Sequence, residues 1–472
     1  MNKSLDKKVL LINPPTPKFV KGENRSIPLS LLYLSSTLQK NNYKVKVMDI
    51  NNDFLNLERN ENLDTDYYFS IKFINELDSF KPDFIGITTL FSGRFKPAIS
   101  ISQRIKKHLP DVPIAMGGIH PTIFPEEILK DYSCVDYICL GEGEKSLLGL
   151  INAHFSDKTL LKNMDGVAYK EKGNVLVNKK NSFIENLDDL PFPDFDLINL
   201  KDYYFDTTEW NNPKNLPINI PLPIMSSRSC PNQCTFCSMF LINGKKWRPR
   251  SAKNVVDEIE SSYKKYNHRY FTFVDDNLSL SKKRVLDFTE EIINRGIEIQ
   301  FDAQLSIKTI DKEVMDNLVE SGLVRVCVAP EHGSEFIRNK IMNKNLPTEK
   351  IYDFFNLARD YKDLSVKAFF VVGYPQETSE TLEDTYQMIQ TIAPSLDQVS
   401  LFNLVPYPGT EIFEYCKENG LIKIPLHNLY NIETFSNYNE SDDPFIKPHA
   451  LEVDDLNKFR EKVYNFIDRG NT

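Results

Sequence analysis

Three cysteines within eight residues, Cys230, Cys234 and Cys237, constrain this 472-residue chain more than any other feature. They follow a short apolar run, Pro223-Ile-Met-Ser226, that predicts a strand. A structural zinc site would normally have a fourth Cys or His at similar local spacing, and none follows. Three thiolates on a four-iron cluster leave one iron without a protein ligand, and an open coordination position can accept a substrate. The spacing therefore predicts a catalytic [4Fe-4S] cluster.

Two simpler interpretations of these thiols stay open. Cys234 and Cys237 alone would suit a thioredoxin-like redox pair, and all three an incomplete zinc knuckle. The other four cysteines are scattered, mostly in apolar runs, and are expected in the core: Cys134, Cys139, Cys327 and Cys416. Their unpaired spacing is typical of a reducing compartment.

Charge and hydropathy exclude some classes of partner. The net charge is -9, and the basic residues are spread thinly, which disfavours a nucleic-acid polyanion. The apolar run at the amino terminus is too short for a signal peptide, and no run approaches the ~18 apolar residues of a membrane span. We therefore expect a cytoplasmic enzyme with a small-molecule substrate, no nucleic-acid partner and no membrane span.

Residues 1–155 alternate short apolar runs with amphipathic stretches, a pattern that predicts βαβ units in a Rossmann-like, doubly wound parallel sheet. In such a sheet, ligands bind beyond the carboxyl ends of the strands. Glycines at those ends would let a bulky ligand approach the backbone closely. The dinucleotide fingerprint GxGxxG is missing after the first strand. The predicted strand ends are Asn13–Pro17, Thr89–Arg94, Gly117–Thr122 and Gly141–Glu144.

The remaining chain divides into three further predicted segments. Residues 156–222 form a connector, with a hairpin that turns at Lys172-Gly173 and then an extended, proline-rich crossing. Residues 223–421 alternate six strand and helix patterns, which fit either an open sheet or a partial (βα)6 TIM-type barrel. Residues 422–472 are expected to form a small, mostly helical carboxyl-terminal cap over the barrel mouth.

Two motifs carry a resemblance to a known family. Cys-x3-Cys-x2-Cys with Phe236 before the third cysteine resembles the radical S-adenosylmethionine (SAM) enzymes. Gly117-Gly-Ile-His-Pro-Thr122 followed by Gly141-Glu-Gly-Glu144 resembles the amino-terminal domain of the cobalamin-dependent members. The resemblance covers nearly the whole chain and implies the partial barrel. The chain lacks the Asp-x-His-x-x-Gly run that supplies a histidine to cobalt in other cobalamin proteins. The lower face of the cofactor is then without a histidine ligand, and residues 90–94 are a candidate cover.

The resemblance also implies roles for individual residues. The three cysteines hold the cluster, and Tyr407 is a candidate catalytic residue. His332 is a second candidate for proton transfer, although a structural role suits it better, and His120 suits loop ordering at least as well as metal contact. Each acidic residue could instead cap a helix or form an ion pair. Expected SAM-site residues are Phe236, Asp275, Asn277, Gln304, Glu331, Ser334, Gly373 and Pro375. Expected cobalamin-site residues are Phe91, Ser92, Gly117, Gly118, His120, Thr122, Gly141, Glu142 and Gly143.

The implied activity is methylation of an unactivated carbon or phosphorus centre in a small molecule or natural-product intermediate. A 5'-deoxyadenosyl radical would activate the substrate, cobalamin would deliver the methyl group, and flavodoxin or ferredoxin would donate electrons. The alternative is radical cyclisation, rearrangement, dehydration or deoxygenation on the same architecture, which a degenerate cobalamin domain would also allow. A non-catalytic carrier would need no SAM pocket. Methylthiotransferases of transfer RNA need a second cluster, for which residues 1–155 offer only Cys134 and Cys139.

Overall fold

The amino-terminal part of the molecule is a seven-stranded sheet. The computed structural model describes residues 6–16, 26–59, 65, 68–90, 92–203, 220–426, 429 and 442–470. The strand order is β2-β1-β3-β4-β5-β6-β7, and β1 to β5 are parallel. The strands are β1 (Lys8–Asn13), β2 (Lys44–Asp49), β3 (Phe84–Thr88), β4 (Ile114–Gly117), β5 (Tyr137–Cys139), β6 (Val167–Glu171) and β7 (Asn174–Asn178).

Helices cover both faces of this sheet. The helices are α1 (Leu29–Lys40), α2 (Ile50–Arg59), α3 (Phe73–Phe80), α4 (Phe95–His108), α5 (Ile119–Ile123), α6 (Pro125–Asp131) and α7 (Gly143–Phe155). Along β1, Val9 and Leu11 pack with residues of α1 and α7, whereas the alternate residues Leu10 and Ile12 pack with α3 and α4. Because successive strand residues point to opposite faces, this alternation makes the sheet doubly wound, as predicted.

The β6–β7 hairpin differs from its predicted place in the connector. It turns at Lys172-Gly173 as expected, but β6 pairs antiparallel with β5, with Tyr137 opposite Tyr169. The hairpin therefore extends the amino-terminal sheet. Its pairing covers the backbone groups of β5, which would otherwise be an exposed edge.

The second sheet is a partial barrel of six parallel strands in the order β15-β14-β13-β12-β11-β8. The six predicted strands are confirmed as β8 (Leu222–Ile224), β11 (Tyr270–Phe273), β12 (Gln300–Gln304), β13 (Leu323–Glu331), β14 (Ser365–Val372) and β15 (Gln398–Asn403). Since β8 and β15 lie at opposite ends of the order, the barrel is open between them. The accompanying helices are α9 (Ala252–Tyr266), α10 (Lys282–Asn294), α11 (Lys312–Glu320), α12 (Thr348–Ala358), α13 (Ser379–Ile392) and α14 (Glu411–Glu418).

The two sheets share one hydrophobic core. The cluster that contains Val9 and Leu31 is continuous with Ile224 and Phe273 of the barrel. Between β8 and α9 lie a short antiparallel pair, β9 (Ser227–Arg228) and β10 (Arg248–Pro249), and the helix α8 (Phe240–Asn243). The carboxyl-terminal helix α15 (Val453–Gly470) packs on α13. Over the described ranges, no helix combines the length and the apolarity that a membrane crossing requires.

Candidate active site

The three cysteines lie on a loop whose two ends are paired. We define the cysteine loop as residues 229–247, which run from β9 to β10; Arg228 lies opposite Arg248 in that antiparallel pair. All three thiols are half-buried. Ser229 adopts a positive φ of 69° and its hydroxyl donates to the Gly244 carbonyl. Positive φ is unusual for serine and persists only where surrounding contacts enforce it.

The middle of the cysteine loop is bonded to the barrel. The Thr235 hydroxyl donates to the Ile341 carbonyl over 2.8 Å, and its amide donates to the Met342 carbonyl over 3.1 Å. Phe236 packs into an apolar cluster that includes Tyr374. The ring therefore packs the cysteine loop against this cluster. The sequence motif alone did not distinguish such packing from contact with a cofactor.

The thiols share one electrostatic environment. Burial raises the pKa of Cys230 and Cys234, and that of Cys237 to about 11. The charge of Asp276 raises the pKa of Cys230 and Cys237 further, whereas Lys344 lowers that of Cys230 and Cys234. Asp276 and Lys344 thus have opposite effects on the pKa values of the thiols.

The donor set suits a cluster better than a single ion. Nowhere in the described part of the chain do three His, Cys, Asp or Glu side chains converge to hold one metal ion. A four-iron cluster makes a different demand, because each of its thiolates binds a different iron and the sulfurs stay apart. Three neighbouring thiols without a fourth fit a cluster that keeps one iron open.

A cavity of about 500 Å³, including space open to solvent, adjoins the cysteine loop at the carboxyl ends of the barrel strands. Among the predicted residues, Asn277 and Gln304 line it. Cys327, which was expected in the core, lines it as well. The other lining residues are Asn232, Asp276, Leu305, Ser306, Ile307, Lys308, Val328, Ala329, Lys344, Leu346 and Phe369.

The adjacent carboxylates Asp275 and Asp276 have different roles. Asp275 accepts bonds from the Ser226 amide at 2.6 Å and from the Ser227 hydroxyl at 2.7 Å, so it ties β8 to β11 and does not line the cavity. Asp276 does line it, and one of its buried carboxylate oxygens has no hydrogen-bond partner. Burial, and then the charge of Asp275, raises the pKa of Asp276 to about 6. Asp276 is the carboxylate available to a ligand.

Glu331 is held by a lysine that the sequence did not single out. The Lys344 ammonium lies 2.7 Å from the Glu331 carboxylate, and Glu331 itself has a positive φ of 70° at a bulge near the end of β13. Burial lowers the pKa of Lys344, but the charges of Glu331 and Cys234 outweigh it and leave the pKa raised. Lys344 is therefore a stable cation beside the cysteines.

A buried network supports the loops that carry the other predicted SAM-site residues. His332 lies 2.9 Å from Glu377, and Glu377 also accepts a bond from the Gly373 amide over 3.1 Å. The amide of Ser334 donates to the His332 Nδ1 over 3.0 Å. His332 is fully buried, so its role is structural. The network fixes the Glu331–Ser334 and Gly373–Pro375 turns relative to each other.

Two further predicted positions lie toward the carboxyl-terminal side of the barrel. The Pro375 carbonyl accepts a bond from the His449 amide over 2.9 Å, and the Tyr407 carbonyl accepts one from the Thr410 amide over 3.1 Å. The ring of Tyr407 packs against the apolar cluster below the cysteine loop. Catalysis by Tyr407 stays a prediction.

At the glycines of the amino-terminal strand ends, other protein atoms lie close to the position that a Cβ atom would take. A Cβ at Gly118 would lie 2.6 Å from the Thr89 backbone, and one at Gly141 would lie 3.1 Å from the Ile242 carbonyl. At Gly143 the nearest atom would be in the Leu34 side chain, at 3.1 Å, and at Gly117 it would be the Cys139 carbonyl, at 3.6 Å. Gly118 and Gly141 thus have an internal packing reason for glycine, and the close ligand approach that we expected at these turns stays a prediction.

Polar residues of the same strand ends are bonded within the protein. His120 is fully buried, its Nδ1 lies 3.0 Å from the Ser92 hydroxyl, and it packs against Phe95 with ring centroids 4.4 Å apart. Thr122 accepts a bond from the Gly141 amide over 3.0 Å. These contacts suit the ordering of the loop by His120, and its contact with cobalamin stays a prediction; Phe91 lies outside the described residues.

A second cavity lies on the amino-terminal half of the molecule and reaches the cysteine loop at Leu241. It measures about 970 Å³, including space open to solvent. Thr122 and Leu140 line it from the amino-terminal sheet, Lys180 lines it from beyond the hairpin, and Leu241 lines it from the cysteine loop. Helix α5 also contacts α8 directly. The strand ends of the amino-terminal sheet therefore open beside the cysteine loop.

Sequence reasoning missed several residues of the site. Asp276 follows Asp275, which the sequence analysis selected, and the structure distinguishes the two because only Asp276 lines the cavity. Lys308 and Lys344 occur in loops without a recognised motif, although Asn343 and Asn345 flank Lys344 with positive φ and could have marked a tight turn.

Comparison with known proteins gives consistent matches over both halves. A B12 binding domain model matches residues 19–151, and a Radical SAM superfamily model matches residues 224–389. An uncharacterized methyltransferase of Pyrococcus horikoshii is 29% identical over 461 residues, which span 97% of this chain and 91% of the relative. The anaerobic magnesium-protoporphyrin IX monomethyl ester cyclase of Cereibacter sphaeroides is 27% identical over 402 residues, which span 83% of this chain and 61% of the cyclase.

Solved structures share the whole fold. The radical SAM methyltransferase TsrM of Kitasatospora setae, solved with tryptophan and a SAM analogue, superposes with a TM-score of 0.69 at 18% identity. The match covers 94% of this chain and 80% of TsrM. The two matched models coincide with the parallel sheet and with the barrel that carries the three cysteines. The chain belongs to the cobalamin-dependent radical SAM enzymes.

Proposed function

We propose that this enzyme methylates an unactivated carbon or phosphorus centre of a small molecule. The observation that carries the proposal is the position of the second cavity, which Thr122 of the amino-terminal sheet and Leu241 of the cysteine loop line together. A methyl carrier on one side and a radical source on the other would both reach a substrate held there. When bound, the cluster supplies the electron that cleaves SAM, and cobalamin supplies the carrier for the methyl group.

SAM would bind in the cavity beside the three cysteines. Asp276 offers a partly buried carboxylate to the ammonium of SAM, and Lys344 offers its cation to the carboxylate of SAM. Asn277 and Gln304 line the same cavity with amide groups that suit ribose hydroxyls. Glu331, Ser334, Gly373 and Pro375 do not line this cavity; they belong to turns that the His332 and Glu377 pair supports, and their contact with SAM stays a proposal.

Cobalamin would bind along the carboxyl edge of the amino-terminal sheet. Thr122 lines the second cavity there, and the Gly117–Gly118 and Gly141–Gly143 turns form its neighbouring backbone surface. His120 is buried against Phe95 and Ser92, an arrangement that suits a cofactor without a histidine ligand from the protein. Phe91 remains a proposed contact from residues 90–94.

Other parts of the proposal follow from charge and composition. A cluster that cleaves SAM needs a low-potential electron donor such as flavodoxin or ferredoxin. The acidic chain, with a net charge of -9, argues against nucleic acid as the substrate. We place the enzyme in the cytoplasm, because its seven cysteines lack the paired spacing of an oxidising compartment.

The test is product analysis with SAM that carries a deuterated methyl group. Protein reconstituted anaerobically with iron, sulfide and cobalamin is supplied with candidate substrates and a reductant. Methylation predicts label in the product, together with 5'-deoxyadenosine and S-adenosylhomocysteine. Turnover with 5'-deoxyadenosine but without transferred label would contradict the methyltransferase proposal.

That second outcome would favour a radical cyclisation or another rearrangement. The 27% identity to an anaerobic cyclase over 83% of this chain is the observation that supports this alternative. A cyclase would form 5'-deoxyadenosine without stoichiometric S-adenosylhomocysteine. The ratio of these two compounds therefore separates the candidates before any product structure is solved.

A further inference from the structure

One carboxylate of the amino-terminal sheet reaches both ends of the cysteine loop. The Oε1 of Glu142 lies 3.0 Å from an Nη of Arg228 and 2.7 Å from an Nη of Arg248. The side chains of Glu142 and Arg248 are each 2% exposed, and that of Arg228 is 10% exposed. Arg228 and Arg248 are paired residues of β9 and β10, so Glu142 sits where the loop begins and ends.

Most groups of this contact have a further partner, whereas the Oε1 of Glu142 makes its two ion pairs without a hydrogen bond. The Oε2 of Glu142 accepts a bond from the Ile184 amide over 2.9 Å. Arg248 donates to the carbonyls of Ile184 and Asn243, over 2.7 and 2.6 Å. Arg228 also binds Glu144, so two arginines face two carboxylates and the buried network is neutral. Buried charges are tolerated when they are paired and bonded in this way, and removal of one partner leaves the others uncompensated.

We propose that Glu142 is a positioning residue that fastens both ends of the cysteine loop to the amino-terminal sheet and thereby sets the arrangement of the three thiols. Its Oε2 accepts the bond from Ile184 and its Oε1 is engaged in the two ion pairs, so we assign it this role in place of the contact with cobalamin that the sequence motif implied. The inference depends on the three cysteines as cluster ligands and is independent of methyl transfer.

The geometry next to Cys230 explains why this contact matters for the cluster. Ser229 lies directly between Arg228 and Cys230 and holds a positive φ of 69°. Such a conformation persists only where its neighbours enforce it. Arg228, clamped by Glu142 and Glu144, is the neighbour on one side, and the bond from Ser229 to Gly244 closes the loop on the other.

The test compares Glu142→Gln with Glu185→Gln. Glu185 forms an ion pair of 2.6 Å with Lys246, which also belongs to the cysteine loop, but both side chains are exposed. An exposed pair contributes little, so Glu185→Gln is a matched control on the same loop. Hydrogen exchange is measured first on the full-length protein without cluster. We expect exchange within residues 229–247 to be at least tenfold faster in Glu142→Gln, with β1 and β3 unchanged and the control equal to wild type.

The second measurement is the cluster itself. After anaerobic reconstitution, we expect Glu142→Gln to retain less than half of the wild-type iron and to show an altered electron paramagnetic resonance spectrum of the reduced cluster. Wild-type loop exchange together with a wild-type spectrum would overturn the proposal, and so would a uniform loss of protection over the whole chain. If Glu142→Gln does not fold, Glu142→Asp keeps the charge but is one methylene shorter, and the same outcomes decide. Substrate turnover is not required, so a failure of the methylation proposal would leave these measurements unaffected.

Discussion

The strand ends of the barrel and those of the amino-terminal sheet use their polar side chains differently. At the barrel, Asp276 keeps a carboxylate oxygen without a hydrogen-bond partner, and Lys344 lies on the wall of the same cavity. At the amino-terminal sheet, the Oε2 of Glu142, the hydroxyl of Thr122 and the Nδ1 of His120 are bonded to neighbouring protein groups, and the Oε1 of Glu142 forms ion pairs with two arginines. The barrel thus offers charged groups to a small ligand, whereas the described strand ends of the amino-terminal sheet offer mainly shape and backbone.

The largest expected effect tests the barrel side. Replacement of Cys230, Cys234 and Cys237 together by alanine should reduce bound iron to background and abolish 5'-deoxyadenosine formation, because the cluster loses its ligands. Iron and sulfide analysis of the anaerobically purified protein provides the measurement. The matched control is Cys139→Ala, a buried cysteine of β5, which should keep the full iron content. Equal iron in the triple variant and the wild type would refute the assignment.

The next effect tests whether glycine on the amino-terminal side serves packing. Gly118→Val should lower the free energy of unfolding by about 3 kcal/mol, since its Cβ would collide with the Thr89 backbone at a φ of +111°. Gly173→Ala, also at positive φ but with no atom within 4 Å of its Cβ, should cost about 1 kcal/mol. Denaturant unfolding measures both. Equal, small losses would show that the Gly118 turn can relax, and the contrast between the two sides would weaken.

The smallest effect concerns the pH dependence of SAM binding. The pKa of Asp276 is raised by burial, and then by Asp275, to about 6, so its carboxylate is charged at pH 7 and becomes neutral as the pH falls through 6. SAM affinity should therefore fall about tenfold between pH 7 and pH 5. Asp276→Asn should bind SAM about tenfold more weakly at pH 7 and lose most of this pH dependence. Calorimetry on the reconstituted enzyme measures both quantities.

Replacement of Lys344 is a control that separates the loss of a charged partner of SAM from the titration of Asp276. Lys344→Met should also weaken SAM binding, because it removes the proposed partner of the SAM carboxylate. It should keep the fall in affinity below pH 6, since Asp276 is still present. If Asp276→Asn kept the same pH profile as wild type, another group would be responsible for the titration.

The sequence predicted what depends on local pattern. All six barrel strands and the five parallel strands of the amino-terminal sheet came from apolar runs, because burial of a strand leaves its mark on consecutive residues. The three cysteines were visible for the same reason, since their spacing is local. The pairing of the β6–β7 hairpin with β5 was not predicted, because it depends on a free edge far along the chain.

The functional residues that were missed depend on nonlocal geometry. Asp275 and Asp276 are adjacent and chemically alike, and only the fold shows that Ser226 and Ser227 engage the first. Lys344 reaches Glu331 from thirteen residues further on. Glu142 belonged to a recognised motif, but its partners Arg228 and Arg248 lie in another sheet, so no local pattern could show that it binds them.

The connector after the hairpin limits how the amino-terminal sheet and the barrel can move relative to each other. In its described part up to residue 203, three short 3-10 turns, each capped by its own Asn186, Asp194 or Asn199 side chain, form a strap instead of a free tether. The strap is bonded to both halves: the Asp194 amide donates to the Ser36 hydroxyl of α1 over 3.1 Å, and Lys265 of α9 lies 2.6 Å from Asp196. A hinge-like separation of the halves would break these bonds together with the buried ion pairs. The described part of the connector therefore resists separation of the amino-terminal sheet from the barrel, and Leu456 of α15 lies beside Gly373 at the carboxyl end of β14.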